Sequence, residues 1–179
     1  MTIMLRTCRI VLRDKDPADA FDDYAWETDP ELSKLDAAPV SHITYSQYLS
    51  DYTWDLRIPR SNSRQFAVDT LTGKHIGNCS YYNLDRTRGE TEMGIMIGDR
   101  DFWNKGYGVD TITTLLDHIF QNLKVNRVHL KTLDWNARAQ KCFMKCCFKE
   151  CGRSTMDGYN FMLMEVFRKE WEDRKLETP

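Results

Sequence analysis

The sequence predicts an α+β fold, with a mixed, mostly antiparallel central sheet flanked by helices. Two turn signals, Thr72-Gly73 and the polar stretch from Asp85 to Gly89, join three consecutive strands that therefore run antiparallel. The third strand leads through a loop with two glycines into a long amphipathic helix that ends near Leu123. A further strand, a helix and a hairpin at Asp157-Gly158 follow. The predicted order is strand, two helices, three strands, helix, strand, helix and two strands.

The N-terminal part is predicted to hold one strand and two helices. Polar and apolar residues alternate from Cys8 to Arg13, which is the pattern of a strand. Asp16-Pro17 is typical of an N-cap followed by proline, and the helix it opens should end near Asp29-Pro30. The segment from Glu31 to Arg64 is the least decided. It includes a helix from about Ser46 to Leu56 whose aromatic stripe is more typical of core than of a substrate pocket.

The later strands are predicted from apolar runs and alternation. Met93 to Ile97 is apolar almost throughout, which favours an interior strand. The charged tail after Trp171 is expected to fray. The remaining predicted elements are strands over Gln65 to Asp69, His75 to Leu84, Arg127 to Leu133, Gly152 to Met156 and Phe161 to Phe167, and a helix opened by Asn136.

Length and charge predict a single cytoplasmic domain over residues 1–179. A chain of 179 residues is typical of one domain with one sizeable core. Its net charge of −2 gives no indication of a nucleic-acid or membrane partner. The start, MTIMLRTCRIVLR, is too short and too charged for a signal peptide, and no apolar run is long enough to span a bilayer.

We predict no metal site. Four of the six cysteines cluster between Cys142 and Cys151, but no paired C-x-x-C knuckles occur. Reduced thiols that pack as small apolar groups are the favoured interpretation. The histidines are scattered and form no ligand pattern; they are His42, His75, His118 and His129.

The loop before the long helix carries a chemical signal. Gly106 and Gly108 stand where the helix begins, and Asp110 lies in its first turn, where the helix dipole favours an acid. The first amides of a helix have no partner within it, and glycines let a phosphate approach the backbone. Two interpretations of this loop remain open: it binds the pyrophosphate of a nucleotide-like cofactor, or it is an ordinary tight turn. Two spaced glycines alone favour the turn.

Several stretches together form a more specific pattern, because they stand in a fixed order at fixed separations. They are Glu92 to Ile97, Trp103 to Gly108, Asn136 to Ala139, Phe143 to Phe148, Asp157-Gly158-Tyr159, Met162 to Met164 and Glu170-Trp171. On these residues the sequence resembles the GNAT superfamily of N-acetyltransferases. It is most similar to the RimJ/RimL-like branch, which itself resembles spermidine acetyltransferases. The resemblance covers roughly Gln65 to Trp171 and, before that, only the layout of the elements.

The resemblance implies an acetyl-CoA site where the fourth and fifth strands of a GNAT-like sheet splay apart. Three consecutive strand residues would bond the pantetheine arm through their backbone, as a further strand would. The amides of the glycine loop would hold the pyrophosphate, in agreement with the helix-entrance argument. Asn136 would touch the pantetheine arm, and a plain N-cap role is compatible with that contact. The implied cofactor-binding residues are Met96, Ile97, Gly98, Asn104, Lys105, Gly106, Tyr107, Gly108, Val109 and Asn136.

Three positions depart from the family pattern. Trp103 replaces a glutamine or arginine, which costs little if backbone amides hold the pyrophosphate. Phe143 stands where many relatives carry the tyrosine that reprotonates the CoA thiolate, and phenylalanine has no proton to give. Water, the acceptor's own ammonium proton and Cys142 all remain open for that role. Cys147 replaces the usual glycine.

Amine acetylation requires a proton acceptor and a donor to the developing oxyanion. Glu92 is the candidate base, because it opens the central strand and matches an acid that the branch often uses. An apolar setting is expected to raise its pKa. A strand-end carboxylate facing water, as expected for Glu90, remains the alternative. By resemblance, the amide near Ile95 or Met96 would be the oxyanion donor.

The resemblance implies a single-domain acetyltransferase that moves acetyl from acetyl-CoA to a primary amine. The acceptor could be a protein N-terminus, a polyamine or a small amino compound, and residues 30–64 would determine the choice. Two alternatives stay open: a non-catalytic acetyl-CoA sensor, which Phe143 favours, and a protein without a cofactor whose glycines form only a turn. Monomer and homodimer are both left open.

Overall fold

The computed structural model describes residues 4–58 and 60–177 and confirms the predicted mixed sheet. The strands are β1 (Met4–Arg6), β2 (Ile10–Asp14), β3 (Arg64–Thr70), β4 (His75–Asp85), β5 (Glu90–Ile97), β6 (Arg127–Leu133), β7 (Lys149–Met156) and β8 (Tyr159–Phe167). They lie side by side in the order β1-β2-β3-β4-β5-β6-β8-β7. β5 and β6 run parallel, and the other neighbouring pairs are antiparallel.

Helices lie on both faces of this sheet. They are α1 (Ala20–Glu27), α2 (Pro30–Leu35), α3 (Tyr45–Asp55), α4 (Tyr107–Asn122), α5 (Ala137–Lys145) and α6 (Arg168–Glu177). α4 packs against β2, β4 and β5. The side chain of Asn78 on β4 donates to Asp23 of α1 at 2.7 Å, while the next residue, Cys79, belongs to the core under α4. Neighbouring strand residues point to opposite faces, so α1 and α4 lie on opposite sides of the sheet.

The main core lies between the sheet and α4. Ile112, Leu116 and Ile119 recur at helical spacing and are fully buried against residues that include Met93 of β5. Burial of each such side chain contributes about 1.5–3 kcal/mol. This packing fixes the start of α4 close to the end of β5.

The N-terminal region differs from the prediction in two places. Cys8 lies in a turn, β2 begins at Ile10, and the residues before the turn add the strand β1. Asp29-Pro30, which was predicted to end a helix, also starts α2. The Asp29 side chain accepts hydrogen bonds from two amides of the first turn of α2, both at 3.0 Å.

The aromatic stripe of α3 packs against α1. Tyr48 is buried, and its hydroxyl donates to Glu27 at 2.9 Å; the hydroxyl of Tyr52 donates to Asp23 at 3.0 Å. The inner residues of the stripe therefore pack against α1, as their helical spacing favoured, whereas Tyr45 and Trp54 are exposed.

The C-terminal tail is helical where fraying was expected, because α6 continues to Glu177. Trp171 anchors this helix: it is buried, and its indole donates to Asp117 at 2.7 Å. Of the free cysteines, Cys79 and Cys146 are buried as predicted, whereas Cys8 and Cys151 are exposed. Across residues 4–58 and 60–177, no helix has the length and apolar character needed to cross a membrane.

Candidate active site

The candidate site lies where β5 and β6 diverge. The two strands pair only over Glu90 to Glu92 on β5 and Arg127 to His129 on β6. Beyond Glu92 the free edge of β5 borders a cleft that is closed by α2, α5 and the start of α4. The structure contains the extra strand β1, so β5 and β6 are the fourth and fifth predicted strands. The predicted splay is confirmed.

A cavity of about 490 Å³ fills this cleft, a size typical of small-molecule sites. Gly98, Lys105 and Tyr107 do not line it, although they were predicted to contact the cofactor. The predicted cofactor-binding residues that do line it are Met96, Ile97, Asn104, Gly106, Gly108, Val109 and Asn136.

The backbone groups of β5 that face the cleft differ from the prediction. In an antiparallel pair, a residue directs its N–H and C=O to the same side, and its neighbours direct theirs to the other. The N–H of Gly98 donates to Ile76 of β4 at 3.0 Å, and the carbonyl of Met96 also points toward β4. The predicted backbone contacts of Met96 and Gly98 with the pantetheine arm are therefore wrong. Ile95 and Ile97 face the cleft instead.

Two tryptophans occupy the end of the cleft edge. The indole of Trp103 donates to the carbonyl of Ile97 at 2.6 Å, and the guanidinium of Arg138 lies over the Trp103 ring at 3.5 Å. A Cβ at Gly98 would overlap the indole of Trp26, so this glycine makes room for α1. The carbonyl of Ile97 is taken by the Trp103 indole. The backbone groups of this edge that stay open to a ligand are therefore the N–H of Ile97 and both groups of Ile95.

Arg9 holds the glycine loop in place. Gly106 is the N-cap of α4 with φ of +87°, a left-handed conformation that favours glycine. A Cβ there would lie 2.7 Å from Nη2 of Arg9. Arg9 also donates to the Lys105 carbonyl at 2.9 Å and pairs through Nε with Asp110 at 2.6 Å. These contacts fix the entrance of α4, whose first amides have no partner inside the helix.

Three basic residues of α5 were not predicted as part of the site. Arg138, Lys141 and Lys145 follow one another at helical spacing and line the large cavity. Their charges suit the phosphate groups of a nucleotide cofactor. The spacing is visible in the sequence, but only the fold shows that this face of α5 meets the cleft.

Asn136 caps α5, which is the N-cap role predicted from the sequence beside a contact with the pantetheine arm. Its Oδ1 accepts a hydrogen bond from the amide of Ala139 at 3.2 Å. Because Asn136 also lines the cavity, the cap and a contact with the pantetheine arm are compatible.

Glu92 lies at the last paired position before the strands separate. Its Oε1 accepts a hydrogen bond from the Tyr82 hydroxyl at 3.1 Å, and its Oε2 accepts one from the Asn83 side chain at 3.2 Å. The expected apolar setting is therefore wrong, since two polar groups of β4 reach the carboxylate. Glu92 lines neither cavity described here, whereas Tyr82 lines a second cavity of about 270 Å³ that adjoins the first.

Phe143 stands between the two cavities and lines both of them. Its ring is only 6% exposed and packs edge-on against Phe148, with 5.7 Å between centroids. Cys142 lines the larger cavity, and burial raises the pKa of its thiol, which therefore keeps its proton at neutral pH.

The cleft fits acetyl-CoA on features of the chain itself. The free edge of β5 offers backbone groups to the pantetheine arm, the entrance of α4 offers amides to the pyrophosphate, and the α5 residues offer positive charge. When bound, acetyl-CoA would supply the activated acetyl group. The residues of this cleft would hold and orient it.

A sequence profile described as an acetyltransferase (GNAT) domain matches residues 9–149 of the chain. The chain belongs to the GNAT acetyltransferase family. It is accordingly an N-acetyltransferase, and acetyl-CoA is its acetyl donor. The match includes β5, the glycine loop and α5, so it covers the elements that build the cleft.

Known proteins similar to this GNAT acetyltransferase agree with that assignment. The uncharacterized N-acetyltransferase p20 of Bacillus licheniformis is 26% identical over 149 residues, which is 83% of either chain. The spermidine N-acetyltransferase of Vibrio cholerae, in complex with CoA and spermine, superposes with a TM-score of 0.81 at 16% identity, over 93% of this chain and 99% of that one. The aminoglycoside acetyltransferase AAC(6')-Ib, in complex with coenzyme A, gives 0.77 at 18% identity over the same shares.

Proposed function

We propose that this GNAT enzyme transfers the acetyl group directly to a primary amine, with Glu92 as the general base. The observation that carries the proposal is the pair of adjoining cavities at the point where β5 and β6 separate, next to Glu92. The larger cavity suits the donor, which leaves the smaller one for the acceptor. Direct transfer requires donor and acceptor to meet, and the cavities share the wall around Ile95 and Phe143.

The proton path runs through Tyr82 to Glu92. An amine near neutral pH is mostly ammonium and must lose a proton before it attacks. Tyr82 lines the acceptor-side cavity, and its hydroxyl donates to Oε1 of Glu92. Burial and the charge of Glu92 raise the pKa of Tyr82, so the phenol keeps its proton at rest. In the proposed path, Tyr82 Oη accepts the proton of the amine while its own proton moves to Glu92.

The oxyanion donor is the N–H of Ile95. Strand alternation directs this amide to the cleft, while Met96, the other candidate, directs its backbone to β4. A fixed backbone N–H stabilises negative charge where it develops and needs no reorganisation during the reaction.

A small amino compound is the proposed acceptor class. The V. cholerae relative was crystallised with spermine, and AAC(6')-Ib acts on aminoglycosides. The RimJ/RimL-like pattern of the sequence would also fit a protein N-terminus. The acceptor-side cavity of about 270 Å³ supports the small compound over the protein, because a chain terminus needs a long, open groove.

The test is release of CoA from acetyl-CoA with spermidine, kanamycin and a short peptide with a free N-terminus. We expect turnover with at least one of these amines. Glu92→Gln keeps the shape of the side chain but removes the proton acceptor, so we expect a loss of about 10²–10⁴-fold near neutral pH. The loss should shrink at high pH, where the amine deprotonates without help. Binding of acetyl-CoA should be unchanged.

Two matched substitutions serve as controls. Glu90→Gln alters a carboxylate on the same strand that pairs with Arg127, and Tyr81→Phe alters a tyrosine whose ring lies in the core; both should retain activity. Tyr82→Phe should lose activity as Glu92→Gln does. Equal rates for Glu92→Gln and the wild type would remove Glu92 from the mechanism. Clear acetyl-CoA binding without turnover on any amine would favour a sensor.

A further inference from the structure

The two cavities meet at a junction whose wall contains one ionisable side chain. The residues that line both cavities are Leu35, Asp36, Ile95, Asn136, Ala139 and Phe143. Among these six, Asp36 alone can carry a charge. It follows directly on α2, within residues 30–64, the part of the chain expected to determine the choice of acceptor, although no single residue there was predicted for that role.

Asp36 has a fixed backbone and a carboxylate without a protein partner. Its N–H donates to the carbonyls of Leu32 at 3.0 Å and Ser33 at 3.2 Å, which caps the end of α2. Within residues 4–58 and 60–177, the carboxylate has no hydrogen bond or ion pair. Asp36 is exposed, and it lines both cavities at their junction. The protein around it still removes part of the water near the carboxylate, which raises its pKa.

A carboxylate on the shared wall of two cavities attracts a cation that binds beside it, and the attraction is stronger there than in open water because the cavity walls exclude part of the solvent. The other five junction residues offer apolar surface and one amide. The basic residues elsewhere on the cavity walls form no ion pair with Asp36, so the position beside it is open to a cation from a ligand; they are Lys131, Arg138, Lys141 and Lys145. A protonated amine in the acceptor-side cavity is such a cation.

We propose that Asp36 binds the ammonium group of the acceptor and positions it at the junction. The inference rests on the proposed function and deepens it, since it selects acceptors that carry a positive charge at neutral pH. Asp36 acts on the bound ground state, while Tyr82 and Glu92 remove the proton. Loss of Asp36 should therefore weaken acceptor binding more than it slows the chemical step.

The experiment measures kcat and KM for spermidine, kanamycin and a short peptide with a free N-terminus, at saturating acetyl-CoA. For Asp36→Asn we expect the KM of the amine to rise about 10- to 100-fold, the range for a lost charged hydrogen bond, with kcat changed only a few-fold. The KM of acetyl-CoA should not change. Asp36→Glu keeps the charge and should restore much of the affinity.

Asp51→Asn is the matched control, because it removes an equal charge from an exposed position on α3. It should leave the KM of the amine unchanged. An unchanged amine KM in folded Asp36→Asn would overturn the assignment, and so would a loss of kcat at constant KM. If Asp36→Asn does not fold, Asp36→Glu decides, and an amine KM raised more than about tenfold in that charged variant overturns the proposal. Failure of the wild type on every amine refutes the proposed function itself, whereas wild-type turnover with an unaffected Asp36 variant refutes only the inference.

Discussion

At the level of single residues, Phe143 is the departure from the GNAT sequence pattern that most affects the chemistry. It lines both cavities at the junction, so a hydroxyl on its ring would reach the space where donor and acceptor meet. The leaving sulfur of CoA must gain a proton, and neither Phe143 nor the apolar junction residues around it can give one. Three sources of that proton are left: the ammonium proton collected through Tyr82 and Glu92, water, and the protonated thiol of Cys142 on the wall of the larger cavity.

Phe143→Tyr should therefore accelerate acetyl transfer in single turnover. The phenol would add a proton donor at the junction, and we expect a gain of at most about 10²-fold, the low end of general-acid catalysis. Steady-state kcat would stay constant if product release limits the rate. Rapid-quench measurement of the first turnover checks the prediction. A large loss of activity would show instead that the ring's packing against Phe148 is what the site requires.

At the scale of elements, Arg13 joins three parts of the N-terminal half. It donates to both carboxylate oxygens of Asp19 at 2.8 and 2.7 Å and to Asp69 at 2.6 and 3.1 Å. β2, the start of α1 and β3 are thereby held together. Both carboxylates are buried, and the Arg13 guanidinium is the cation that hydrogen-bonds to each of them.

Arg13→Gln should lower the free energy of unfolding by about 3–5 kcal/mol, because two buried carboxylates lose the guanidinium that hydrogen-bonds to both of them. Urea denaturation measures the loss. Arg60→Gln is the control, since Arg60 pairs with Asp55 on the surface and such pairs contribute about 0–1 kcal/mol. Equal stabilities of the two variants would contradict the prediction.

The ion pair between Arg13 and Asp19 also predicts that the stability of the fold depends on pH. Burial alone would raise the pKa of Asp19, but the hydrogen bonds from Arg13 and the Asp16 amide, together with the charges of Lys15 and His75, outweigh burial and lower it. A carboxyl with a lowered pKa stabilises the fold above its unfolded value of 3.8 and loses that contribution as pH falls through the folded value. The stability difference between the wild type and Arg13→Gln should therefore narrow below about pH 4.

At the scale of the whole molecule, local signals predicted the donor side of the site and non-local packing formed the rest. The apolar run of β5, the spaced glycines and the period of α4 all lie within one stretch, so these elements were predictable from local sequence, while the splay of the strands followed from the resemblance to the GNAT superfamily. The β5 backbone contacts were not, because the pairing of Gly77 with Ile97 decides which residues face the cleft. Asp36 follows a helix of six residues, too short to show a period, and reaches the junction only through the fold.

The donor site can be tested without reference to any acceptor. A ligand that binds only the folded state stabilises it by mass action, by about 2.7 kcal/mol at a hundredfold excess over Kd. Acetyl-CoA should therefore raise the melting temperature, and NAD and ATP should raise it much less. Gly106→Val should abolish the rise, because a side chain there strains a left-handed backbone and meets Arg9 at the entrance of α4.

Gly73→Val separates backbone strain from loss of the site. Gly73 has φ of +82°, close to that of Gly106, but a Cβ there meets nothing within 4 Å and the residue lies in the β3–β4 hairpin. Both variants should melt below the wild type, since both place a branched side chain in the left-handed region. Only Gly73→Val should keep the full response to acetyl-CoA. A response of the same size in Gly106→Val would show that the entrance of α4 does not hold the pyrophosphate, and the donor would then have to be bound by β5 and α5 alone.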